Sequence, residues 1–182
     1  MKSIIKNALI LTMITLVAGT ALAVVYSITK EPIEKSNKKA TMEAYSIVFS
    51  DAQFEEISLK DYNDENNSKI SAVSKAVKDG KAAGYVFTTA SKGYGGDIKL
   101  AVGIDLAGSI TGISVLDASN ETPGLGARVQ EDEFTAQFKN INSDTLNDVD
   151  AISGATYSSK GVKNAVSASL KYFNDNLKEE GK

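Results

Sequence analysis

Two short segments of this sequence hold the residue types that can carry a cofactor. Asp150-Ala151-Ile152-Ser153-Gly154-Ala155-Thr156-Tyr157-Ser158-Ser159 places hydroxyls at Ser153, Thr156, Ser158 and Ser159, just ahead of a helical pattern. A helix start offers unpaired N–H groups and a partial positive charge, both suited to a phosphate. Ser and Thr are also favoured there as caps, so the pattern alone fits either a cap or a phosphate cradle. Upstream, Asn120-Glu121-Thr122-Pro123-Gly124-Leu125-Gly126 puts one of only two prolines and two glycines within seven residues. Glycine lets backbone approach a ligand closely, and proline stiffens the residue before it. Such a string equally fits a plain turn after a strand.

The chain contains no Cys, no His and no Trp. Disulfides, thiolate metal sites and His-based acid–base catalysis are therefore excluded, and redox chemistry would need a borrowed cofactor. The 182 residues allow one domain plus an anchor, and the net charge of −3 offers no footprint for nucleic acid.

The elements that must position the two segments follow from periodicity. Ala8 to Ile28 is 21 residues without a charge, long enough to cross a bilayer as a helix. Ala21-Leu22-Ala23 resembles a signal cleavage site, but the apolar run continues through Val24, Val25 and Ile28, so the expectation is an uncleaved anchor over 1–29. Residues 30–39 form a charged, Pro-containing juxtamembrane linker, and Ala40 to Phe49 a short amphipathic helix. Asp61 to Lys69 is polar and reads as an exposed loop. Strands are expected at Ile70 to Val77, Ala82 to Thr89, Ile98 to Ile104 and Ile110 to Leu116, with a turn at Asp79-Gly80. Their short connections make the sheet antiparallel. From Ser159 onward Val162, Ala165, Val166, Ser169, Leu170 and Phe173 share one helical face, with Ser158 or Ser159 as N-cap. The fold class is α+β: a single N-terminal transmembrane helix, then a 40–182 domain with a mostly antiparallel sheet flanked by helices.

Asp150, Ser153, Gly154, Ala155 and Thr156 match an Asp-x-x-Ser-Gly-Ala-Thr pattern that resembles the flavinylation signal of FMN-binding domains. Glu121 to Gly126 resembles a second hallmark of that family, and Gly93-Tyr94-Gly95-Gly96 adds a third agreement. With the single N-terminal span, the whole chain resembles the G subunit of the Rnf complex, the ion-translocating ferredoxin:NAD oxidoreductase of bacterial membranes. The resemblance implies FMN attached covalently through a phosphoester to Thr156. The phosphate would lie among N–H groups around Gly154, Ala155, Tyr157 and Ser158, beside Ser153, with Lys160 as a charge partner. Glu121, Thr122, Gly124, Leu125 and Gly126 would line the isoalloxazine.

The resemblance further implies an electron-transfer subunit that is not catalytic alone. Its partners would be the other Rnf subunits, the lipid bilayer and a flavin transferase for maturation. Lys30, Lys35, Lys38 and Lys39 after the span would lean toward a cytoplasmic domain by lysine count. The family implies the opposite, an N-terminus in the cytoplasm of the cell membrane and an FMN domain outside it. Ser119 and Asn120 stand where relatives often carry a His. Alternatives are the C subunit of a sodium-translocating NADH:quinone reductase, a stand-alone flavinylated carrier, or a membrane-tethered binding module without redox chemistry.

Overall fold

The computed structural model describes residues 2–59 and 68–178, in two compact units that divide between Ala40 and Thr41. The first unit is helical throughout. Helix α1 runs from Lys2 to Val48, and every residue from 3 to 40 is exposed. An apolar helix with no buried face is the form that faces lipid. The hydroxyls of Thr12, Thr15, Thr20, Ser27 and Thr29 donate to carbonyls one turn back, so none is left unpaired along the span. The 30–39 stretch continues the helix. Lys35 pairs with Glu31 at 2.7 Å, and Pro32 sits inside the helix, where it deprives the Ile28 carbonyl of its usual donor.

In the second unit five strands form an antiparallel sheet in sequence order, β1 (Gln53–Ile57), β2 (Lys69–Lys78), β3 (Lys81–Lys92), β4 (Asp97–Asp105) and β5 (Ile110–Asp117). The four expected strands are present, each longer at one or both ends. β2 alternates imperfectly because its register with β3 shifts at Ile70/Ala72 and at Ala76/Val77. Asp79 and Gly80 both take positive φ, the geometry of a two-residue hairpin turn. β1 was not expected from the sequence. It is an edge strand with only Phe54 and Ile57 apolar, too few for an alternation to register. Most of the expected 61–69 loop lies outside the described residues.

Both faces of the sheet are covered. On one, Ile98, Leu100, Val102 and Ile104 are fully buried with Val73, Phe87 and the C-terminal helix α3 (Thr156–Asn176). Phe87 meets Tyr172 edge-on at 5.9 Å, and Tyr85 lies 6.0 Å from Phe173. On the other, Ala44, Tyr45 and Val48 from the end of α1 pack on Val86 and Ala101. There the Tyr45 hydroxyl shares a buried hydrogen bond of 2.8 Å with Thr88 Oγ1. The expected 40–49 helix is therefore the last turns of α1, and its apolar side closes the second face.

Between β5 and α3 the chain makes short turns, including helix α2 (Asp132–Thr135), which bring Val129, Phe134 and Phe138 into the core. Helix α3 begins earlier than its apolar period predicts. Thr156 is its first residue and Ala155 its N-cap, so neither Ser158 nor Ser159 caps it. Both serines lie inside the first turn and are bonded elsewhere. The buried face of α3 also takes in Gly161, Ala168 and Tyr172, wider than the predicted stripe.

Candidate functional site

The start of α3 lacks a side-chain cap. Ala155, at φ −121° and ψ 38°, carries no capping oxygen, although four hydroxyls stand within a few residues. The first intrahelical bond runs from Ser159 N–H to the Ala155 carbonyl, at 3.0 Å. The N–H groups of Thr156, Tyr157 and Ser158 therefore have no helical acceptor and point out of the helix end. Gly154 precedes this turn at φ +78°, a conformation that an L side chain adopts only at a cost, so the bend into α3 calls for glycine.

The four hydroxyls divide sharply. Ser159 is fully buried, accepts from Ile152 N–H at 3.0 Å and donates to the Ala155 carbonyl at 3.0 Å. Ser158 is buried and donates to Glu121 Oε2 at 2.5 Å. Ser153 is exposed beside a separate hollow lined by Arg128, Glu131, Phe134 and Asp150. Thr156 is exposed, and its hydroxyl bonds to none of the described residues. Ser153 and Thr156 are both exposed and uncommitted, and of the two only Thr156 belongs to the first turn of α3.

Thr156 stands on the wall of a cleft of about 500 Å³. Tyr94, Thr122, Leu125, Gly126, Gly154, Ala155, Tyr157 and Ser158 complete the lining. Tyr94 and Tyr157 are each 71% exposed, with ring centroids 6.4 Å apart, so two aromatic rings stand open to solvent. Leu125 is also exposed. Exposed aromatic and aliphatic groups gathered around one polar helix end are what a flat aromatic ligand with a phosphate tail requires. The hollow at Ser153 is of similar size, about 520 Å³, but is lined mainly by charged and amide side chains. The Thr156 cleft is the better candidate because it pairs an apolar wall with free N–H donors.

The sequence-predicted residues are sorted by this geometry. Thr122, Leu125, Gly126, Gly154, Ala155, Thr156, Tyr157 and Ser158 come together at the cleft. Gly124, at φ +72°, shapes the 122–126 turn without lining the cleft. Lys160 is exposed on the other side of Thr156, in a hollow shared with Lys163 and Asn164. Glu121 is buried behind the cleft at 3% exposure, where Oε1 accepts from Gly95 N–H at 2.9 Å and Oε2 from Ser158. Tyr94 was not singled out from the sequence as a ligand contact. Its signal was the Gly93-Tyr94-Gly95-Gly96 string, an aromatic residue set among glycines. Gly95 is required by close approach, since a Cβ there would run into the Asn120 carbonyl oxygen.

Residues 93–171 match the FMN-binding domain family, and residues 1–48 match the RnfG N-terminal region. The site fits that cofactor on its own geometry, with an uncapped helix start for the phosphate and an aromatic cleft for the ring. The chain is 32% identical to the G subunit of the Na(+)-translocating ferredoxin:NAD(+) oxidoreductase complex of Acetobacterium woodii, covering 94% of this chain and 92% of the relative. It is 33% identical to the G subunit of the proton-translocating ferredoxin:NAD(+) oxidoreductase complex of Clostridium ljungdahlii, over 90% of this chain and 89% of that one. The crystal structure of Shewanella oneidensis NqrC shares the fold at a TM-score of 0.51, with 20% identity, over 71% of this chain and 84% of the other. With its N-terminal apolar helix, its FMN-binding domain and relatives matched over nearly their whole length, the chain belongs to the RnfG family, the G subunits of ion-translocating oxidoreductase complexes.

Proposed function

We propose that this chain is the flavin-bearing electron-transfer subunit of an ion-translocating ferredoxin:NAD oxidoreductase, with FMN joined through its phosphate to Thr156 Oγ1. The observation that carries this reading is the free, exposed Thr156 hydroxyl at an uncapped helix start on the wall of the aromatic cleft. The relatives' names supply the complex. Bound FMN supplies a carrier able to pass one or two electrons.

The roles of the chain's own residues follow from their placement. N–H groups of Thr156, Tyr157 and Ser158 receive the phosphate, with the helix dipole favouring its charge. Tyr94, Leu125 and Tyr157 line the cleft and would shield a bound ring from water, while Thr122 and Gly126 would offer it close backbone contact. Gly154 permits the bend that presents Thr156. Lys160 adds positive charge from the far side, and Ser153 and Gly124 act through the shape of their loops. The chain has no His or Cys to activate the Thr156 hydroxyl, so attachment is assigned to a separate flavin transferase acting on an activated flavin phosphoanhydride, whose P–O–P bond breaks as the phosphoester to Thr156 forms.

Residues 1–29 anchor the protein in the cell membrane, 30–39 link, and 40–182 form the FMN domain. The N-terminus lies in the cytoplasm and the domain outside it, where a covalent bond prevents loss of the flavin. Electrons pass between neighbouring subunits of the complex, since this chain carries no second cofactor motif.

Co-expression of the full chain with a flavin transferase, followed by intact mass, tests the reading. The expected product is heavier by one FMN less one water. Thr156→Ala abolishes the adduct and Ser158→Ala retains it. An unmodified wild-type chain, or an adduct that survives Thr156→Ala, overturns the assignment.

A further inference from the structure

We propose that Glu121 is a positioning residue that fixes the two aromatic walls of the cleft and withdraws Ser158 from modification. This rests on the assignment of Thr156 as the attachment residue. The carboxylate is buried, and its two oxygens bond to opposite sides of the cleft. Oε1 accepts from the N–H of Gly95, the neighbour of Tyr94. Oε2 accepts from the hydroxyl of Ser158, the neighbour of Tyr157. Each bond therefore falls one residue from a ring that lines the cleft, and the rings stand 6.4 Å apart. Among the described residues no other hydrogen bond joins the 93–96 loop to the first turn of α3.

The space around the carboxylate is kept clear by glycine. A Cβ on Gly93 would meet Oε1 at 2.5 Å, and one on Gly126 would meet Oε2 at 2.6 Å. Two loops are thus shaped around this one side chain. A shift of either loop would move Tyr94 or Tyr157 relative to a bound flavin, and would move Thr156, two residues before Ser158, relative to the phosphate it is to receive. The same bond distinguishes Ser158 from Thr156. Ser158 is committed as a donor to Glu121, while Thr156, one helical position ahead of Tyr157, stays free.

The test compares wild type, Glu121→Ala, Glu121→Gln and Ser158→Ala as full chains in membranes, co-expressed with a flavin transferase. Three readouts are the labelling rate by intact mass, the visible circular dichroism of the attached flavin, and its reduction potential. Glu121→Ala is expected to label at least about tenfold more slowly, because a small misplacement of reacting groups is costly, and to carry a flavin with altered dichroism and potential. Glu121→Gln keeps an acceptor for Gly95 and a partner for Ser158, so it restores labelling to within about threefold of wild type. Ser158→Ala removes one arm only, and it shifts the dichroism while still labelling at Thr156. That variant carries the test if Glu121→Ala does not fold. Wild-type rate, dichroism and potential in both Glu121→Ala and Ser158→Ala, with only the melting temperature lowered, would overturn the inference alone. A wild-type chain that takes no flavin overturns the attachment reading and this inference with it.

Discussion

Ser158 Oγ donates to Glu121 Oε2 across 37 residues of sequence and joins the two motifs that stood apart in the chain. One motif follows the last strand of the sheet and the other opens the C-terminal helix. The bond sets them as neighbouring walls of a single cleft, and it divides the hydroxyls of the second motif into committed and free.

Breaking that bond gives the first prediction. Ser158→Ala leaves a buried carboxylate oxygen without its donor, which costs about 1–3 kcal/mol. Thermal denaturation of the full chain is expected to show a lower melting temperature, with Thr156 still modified. Unchanged stability would mean that the carboxylate finds another partner.

Gly154→Ala tests the bend into α3. The residue sits at φ +78°, and an added Cβ would approach Leu125 Cδ1 to 3.1 Å. Alanine is expected to cost roughly 1–2 kcal/mol from the backbone alone. It would also slow flavin attachment by displacing the turn that presents Thr156, measurable as adduct formed over time.

Tyr94 and Tyr157 are predicted to matter to the flavin far more than to the fold. Both are largely exposed, so replacing either with Ala should change stability by no more than about 0.5 kcal/mol. The adduct should still form, with an altered visible dichroism. A melting temperature that drops steeply would place these rings in the core, against their exposure.

Asp117 ends β5 just before the 120–126 loop, and its carboxylate accepts from Ser119 N–H at 2.9 Å. This bond, with the Ser119 hydroxyl and Lys99 helping, holds its pKa below the usual carboxylate range despite partial desolvation. A pKa lower in the folded than in the unfolded chain contributes stability above the unfolded value, and that contribution is lost as pH falls through the folded one. Asp117→Asn is therefore expected to flatten the acid limb of a stability-versus-pH curve, leaving its neutral and alkaline part parallel to wild type.

Much of this was legible in the sequence, for physical reasons that differ by element. The uncharged length from Ala8 to Ile28 and the strict alternation of Ile98, Leu100, Val102 and Ile104 are each strong signals, and the first lies within helix α1 while the second forms β4. β1 has too few apolar residues to show one, because an edge strand buries little. The start of α3 was misplaced since its apolar period begins only at Val162, whereas in the turn before it Ser158 is bonded to Glu121 and Ser159 to Ile152. At the site, the motif residues were readable as a group. The split between free Thr156 and bound Ser158 was not, because it depends on Glu121, which the chain brings near only when folded. Tyr94 was hidden for the same reason, its neighbour Tyr157 lying 63 positions away in the sequence.

The most direct test of the central claim is peptide-level mass mapping of flavin on the full chain isolated from membranes after co-expression with a flavin transferase. One FMN per chain is expected, on the peptide containing Thr156, with fragment ions placing it on that residue. Flavin on Ser153 or Ser158, or a chain that releases all its flavin on denaturation, would contradict the assignment.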